Sequence, residues 1–151
     1  MSELVNEEAR SWIGRSEPIP PVEISRREIV KYSIATQQRV EKYLRGDEAP
    51  PMFFFGVFRP VVDLDDLSAD GLAPTKLLPP LPLKRVMAGG TKIRYHRPVR
   101  PGDRLVGERT LVDIVEKQGR TGPLIFIDYE LRVRTASGEP VLDERQTQIL
   151  R

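Results

Sequence analysis

The single histidine of this chain, His96, bounds its chemistry more tightly than any other residue count. A multi-histidine metal centre and a paired-histidine helix are both closed to it. A Ser-His-Asp triad needs only one imidazole, but no nucleophile-elbow sequence accompanies this one. Cysteine is absent, so disulfides, thiolate metal ligands and a thiol nucleophile are excluded too. The remaining candidates are carboxylates and bases. Asp47 and Glu48 precede the apolar run from Met52 to Phe58, where a carboxylate can attack an acyl group or activate water. Asp103 follows Gly102 in a turn, and His96 precedes Pro98 at a strand end; for both, a structural role outweighs a catalytic one. Lys84, Arg85, Lys92, Arg94, Arg97, Arg100 and Arg104 cluster where the β-rich half begins. They can grip phosphates or form an ordinary solvated face, and the residues alone favour neither.

The elements that must position these groups follow from pattern and punctuation. With 151 residues, 39% of them hydrophobic, one domain over 1–151 is expected. Lys and Arg total 24 against 22 acids, and the two signs are interspersed, which argues against a nucleic-acid binder. No apolar run is long enough to span a bilayer. The start Met1-Ser2-Glu3-Leu4 lacks the layout of a signal peptide, so a cytoplasmic protein is expected. Residues 1–21 read as an N-terminal extension: a weak helix from Glu3 to Trp12 ended by Gly14, then an extended connector from Ser16 to Pro21. Ser25-Arg26-Arg27-Glu28 is a capping box that opens a helix from Arg26 to about Thr36. Four of the five phenylalanines (Phe53, Phe54, Phe55 and Phe58) lie within six residues, so that segment is buried in the core or lines a ligand. Residues 59–88 are proline-rich and loop-like, a length that suits a lid, an interface arm or simple surface variability. Beyond Gly89 the pattern turns to strands: Thr91 to Arg97, Leu105 to Lys117, Leu124 to Thr135 and Val141 to Leu150. The last three are joined by short turns into an antiparallel meander with one wet face. The fold class is therefore α+β, an antiparallel sheet wrapped around a central apolar helix.

The segment Tyr95-His96-Arg97-Pro98-Val99-Arg100-Pro101-Gly102-Asp103 resembles a turn of the MaoC-like hydratases and dehydratases, particularly their N-terminal dehydratase domain. Ala49-Pro50-Pro51-Met52-Phe53 is similar to that domain's entry into its central helix, and the resemblance spans about Ile13 to Leu150. It implies the hot-dog fold and acyl thioesters of coenzyme A or acyl carrier protein as ligands, with no covalently bound cofactor. Met52, Phe53, Phe54, Phe55 and Phe58 would then line the acyl group, and Lys84, Arg85, Arg94, Arg97 and Arg100 would hold the carrier's phosphates. Active members carry an Asp-x-Asn-Pro-x-His pattern between the capped helix and the double proline. Here residues 35–49 contain neither histidine nor Asn-Pro, and the residue five beyond Asp47 is Met52. The resemblance therefore implies a non-catalytic, acyl-thioester-binding half of a two-subunit hydratase, partnered by a catalytic MaoC-like chain. A stand-alone thioesterase using Glu48, and a hot-dog that only binds, are the alternatives.

Overall fold

The computed structural model describes residues 4–151. In chain order its elements are α1 (Glu7–Arg10), β1 (Ser16–Glu23), α2 (Arg26–Ala35), α3 (Glu41–Leu44), α4 (Phe53–Val57), a 3-10 turn at Leu64–Asp66, β2 (Val86–Tyr95), β3 (Arg104–Gly119), β4 (Gly122–Thr135) and β5 (Pro140–Leu150). The five strands form one antiparallel sheet ordered β1-β3-β4-β5-β2. No helix among the described residues is long and apolar enough to cross a membrane.

The predicted meander is β3-β4-β5, and the alternation in β4 is what anchors it. Ile125, Ile127, Tyr129, Leu131 and Val133 are all buried, while Asp128, Glu130 and Arg132 between them face water. Successive side chains on a strand point to opposite faces, so this one strand defines an inner and an outer side for the whole sheet.

Two separate covers close the inner side. At one end, Phe53, Phe54 and Phe58 of α4 and its C-cap join Ile24 and Ile29 against Leu105, Leu131, Val133 and Leu142. At the other end, Val5, Ala9, Leu77 and Leu81 pack on Leu111, Ile114, Ile125, Ile127 and Leu150. The capping box forms as expected: the Ser25 hydroxyl accepts from the Glu28 amide while the Glu28 carboxylate accepts from the Ser25 amide. Its helix buries Ile29 and Ser33.

Five expectations need correction. The Ser16–Pro21 connector is strand β1, paired with β3 across a bulge between Ile19 and Val22. Its prolines are tolerated because an edge strand has one unpaired side. The helix expected from Glu3 to Trp12 is a single turn, Glu7–Arg10, capped by Asn6; Glu3 lies outside the described residues. The residues expected to extend from the domain instead pack into it through Val5 and Ala9. Likewise, the 59–88 loop is partly core, since Leu77 and Leu81 are buried in the second cover. The central apolar helix, α4, is only five residues long.

Candidate functional site

Asp47 and Glu48 stand at the end of a tight turn after α3. Gly46 makes that turn at φ +73°, where an added Cβ would lie 2.8 Å from Arg26 Cγ. Asp47 accepts from Arg26 at 2.5 Å and pairs with Arg45 at 3.0 Å. The Arg26 bond, reinforced by that from Arg45, holds the Asp47 carboxyl below the usual aspartate range. Glu48 pairs with Lys42 at 2.8 Å. Both carboxylates are thus engaged by cations. Of the aromatic run, Phe53, Phe54 and Phe58 are buried in the core, whereas Met52 and Phe55 are exposed, with Arg59 stacked over the Phe55 ring at 4.1 Å.

His96 has a carboxylate beside it: its Nε2 lies 2.8 Å from Asp143 Oδ2. The pair belongs to the outer face. Asp143 alternates with Leu142 and Glu144, which are both buried on the inner side, and His96 follows Tyr95, whose ring meets Phe54 edge-on. Register sets Asp143 between Arg132 and Arg94. A shallow depression of about 310 Å³ next to the pair is lined by Lys92, Arg94, Glu130, Asp143 and Arg145. The imidazole is therefore on the side of the sheet away from the phenylalanines.

The basic residues do not form one patch. Arg97 makes a two-pronged bond to Asp103 (3.0 and 3.1 Å) and a 3.3 Å ion pair with Glu139. Asp103 also accepts from the Arg100 amide at 2.8 Å. Burial raises the Asp103 carboxyl, but the Arg97 and Arg100 bonds outweigh it, and the net effect is downward. Lys92 and Arg94 are on the outer face, opposite Arg145 and Asp143. Lys84 and Arg85 are exposed at the far end of β2, where Arg85 exchanges backbone bonds with Arg151.

Sequence reasoning missed a polar belt on the inner face between the two covers. Pairing aligns Glu17, Arg109, Leu131, Glu144 and Ile93 in one row and Leu111, Tyr129, Gln146 and Thr91 in the next. The Arg109 guanidinium lies 4.2 Å from the Tyr129 ring centre and donates to Gln146 at 3.2 Å. Thr91 donates to Glu144 at 2.7 Å, and Glu144 is only 7% exposed. The Tyr129 hydroxyl is buried without a hydrogen-bond partner among the described residues, and burial pushes its pKa to about 12. The signal was present: Arg109, Glu144 and Gln146 occupy inward positions that strict alternation reserves for apolar residues.

The sheet's two edges also differ. β1 carries Pro18, Pro20 and Pro21, which have no N–H to offer, while β2 bears no proline and pairs only with β5 among the described residues.

The family model for the FAS1-like dehydratase domain region matches residues 11–144. The chain belongs to that family. It is 30% identical over 119 residues to a mesaconyl-C(4)-CoA hydratase of Chloroflexus aurantiacus, a match covering 78% of the chain and 42% of the relative. The chain therefore spans less than half the length of that hydratase. Among solved structures it is similar to the MaoC-like dehydratase of Rhodospirillum rubrum, with TM-score 0.58 and 17% identity over 91% of each chain. It is also similar to the HadBC (3R-hydroxyacyl-ACP dehydratase) complex of Mycobacterium tuberculosis, with TM-score 0.65 and 14% identity over 91% of this chain and 96% of that one. At such identities the likeness concerns the fold. The chain has the MaoC-like hot-dog architecture that the resemblance of Tyr95–Asp103 and Ala49–Phe53 implied.

Proposed function

We propose that this chain is the non-catalytic, acyl-thioester-binding subunit of a heteromeric enoyl-thioester hydratase or 3-hydroxyacyl-thioester dehydratase. One observation carries the reading: the only imidazole, His96, faces away from the α4 cover, and the carboxylates preceding α4 are tied up in ion pairs. Hydration beside a thioester carbonyl needs a proton donor and acceptor near neutral pH, the work imidazole does best. A separate catalytic MaoC-like chain would supply it, docking against the open β2 edge, where a strand can continue the sheet. The HadBC structure, itself a complex, supports a partnered arrangement.

Within the pair, this subunit would line the acyl group with Met52, Phe53, Phe54, Phe55 and Phe58. Of the basic residues, which do not form one patch, Arg100 would meet a phosphate of coenzyme A or of a carrier protein's pantetheine arm, and Arg97 would keep its turn in shape, while Lys84, Arg85 and Arg94 stand apart from it. The reading places the chain in the cytoplasm with those thioesters. The test is hydration of crotonyl-coenzyme A. The purified chain should show no turnover, and activity should appear on adding a MaoC-like partner with the Asp-x-Asn-Pro-x-His pattern. Robust turnover by the chain alone would refute the reading.

A further inference from the structure

The inner face of a sheet that packs only against hydrocarbon has no use for an arginine, a glutamate, a glutamine and an unpaired phenol in adjacent rows. Here they are contiguous, at the seam between the two covers: Tyr129 packs in the second cover's cluster, and Leu131, in the same row as Glu144, in the first. Glu144 and Tyr129 form a buried floor, Arg109, Gln146 and Glu17 are half-buried, and Thr91 is exposed at the β2 edge. The result is a polar strip that crosses the sheet from β1 to β2 and opens at the edge without prolines.

The bonding inventory of the strip is incomplete. Arg109 uses one of its five N–H donors on Gln146, and no acidic side chain pairs with it among the described residues. Glu144 accepts one hydrogen bond, from Thr91, with capacity for more. The Tyr129 hydroxyl has no hydrogen-bond partner among the described residues. Buried polar groups nearly always find one, so the strip is built for something that brings both a donor and an acceptor. Charge narrows the class further. Arg109 is the single cation against Glu17 and Glu144, so a further anion meets net repulsion, while a neutral hydroxyl can donate to Glu144 and accept from Arg109 or Tyr129.

We propose that this strip is a subsite for a neutral oxygen function, a hydroxyl or keto group, carried on the acyl chain beyond the carbons next to the thioester. The proposal rests on the acyl-thioester reading and names the kind of acyl group that this subunit selects. A plain hydrocarbon tail leaves the strip's groups unpaired, and a tail ending in carboxylate adds a third negative charge.

Calorimetric titration of the full chain with matched coenzyme A thioesters tests this: butyryl, 4-hydroxybutyryl and succinyl in one set, hexanoyl, 6-hydroxyhexanoyl and adipoyl in the other. In at least one set the hydroxylated member should bind about tenfold more tightly than the hydrocarbon, equivalent to ~1.4 kcal/mol, with the dicarboxylic member weakest. Arg109→Met should erase that preference and leave hydrocarbon binding intact, which also reports that the variant folds. Gln146→Leu carries the same expectation should Arg109→Met fail to fold. Equal binding of all members, or tightest binding of the carboxylate, overturns the subsite and leaves acyl binding standing. A hydroxyl preference that survives both substitutions overturns its assignment to the strip. No binding by any thioester overturns the acyl-thioester reading together with the subsite.

Discussion

The two faces of this sheet use charge in opposite ways. On the outer face, acids and bases alternate across the strands: Glu108, Arg132, Asp143 and Arg94 stand in one row, and Asp128 accepts from both Arg145 and Thr147 in the next rows. Water competes for every one of these groups, so each contributes little to stability. On the inner face, a handful of polar groups lie between two apolar covers, where an unmade bond is expensive. His96 beside Asp143 has the geometry of a general-base pair on the face away from the α4 cover. Glu144 lacks a histidine but is buried on the inner face, in the strip proposed above as a subsite. The side of the sheet a titratable residue projects from, which one residue of register decides, matters more to its role than the partner beside it.

Breaking the inner side should cost most. Phe54 is 2% exposed and meets both Phe55 and Tyr95 edge-on. Phe54→Ala should destabilise the chain by about 3–5 kcal/mol, the usual loss for emptying a buried aromatic site, measured by urea denaturation. A value near zero would mean that the α4 cover is not the core it is described as.

The corner joining the helical layer to the sheet should rank next. Asp103→Asn trades one of the two acceptor oxygens for an NH2 donor and removes the charge, so that one prong of Arg97, or one prong together with the Arg100 amide bond, is lost, at about 1–3 kcal/mol for leaving such donors unpaired. The sign of the pH effect follows from the downward shift. The folded-state pKa lies below the unfolded value of about 3.9, so the carboxylate's contribution is complete above that value and is lost as pH falls through the lower one. Urea midpoints of the wild type should drop on acidification below about pH 4, and Asp103→Asn should lessen that drop. An identical acid limb in both proteins would remove Asp103 from the account.

Where one physical signal dominated, the sequence was legible. β4 alternates without interruption over the residues that become its buried face, and the Ser25–Glu28 cap needed only local bonds to form. β1 was obscured by its prolines, which report a missing donor without saying whether the missing bond would have faced a neighbour or solvent. The first half of β2 was hidden by Gly89-Gly90, whose missing side chains interrupt the alternation that marks a strand. In the sheet Gly89 fits tightly against β5, where an added Cβ would fall 2.9 Å from Thr147 Cγ2, and Gly90 accommodates a bulge at φ +142°. The polar belt was illegible for a different reason: its members come from all five strands, and only the register brings Arg109 to Gln146 or Thr91 to Glu144. The same holds for His96 and Asp143, 47 positions apart.

The smallest effect is the most telling for the comparison of faces. His96→Gln keeps a side chain able to hydrogen-bond Asp143, and the site is about one-third exposed. A stability change within about 0.5 kcal/mol is expected of such a surface replacement. The functional consequence should be equally slight: with the catalytic partner present, the pH profile of crotonyl-coenzyme A hydration should be superimposable on that of the wild-type complex. An imidazole acting as proton carrier would instead impose its own titration near neutral pH, and losing it would remove that limb of the profile and most of the rate. A change in the profile without a change in stability would therefore move the chemistry to the outer face and make His96–Asp143 the working pair.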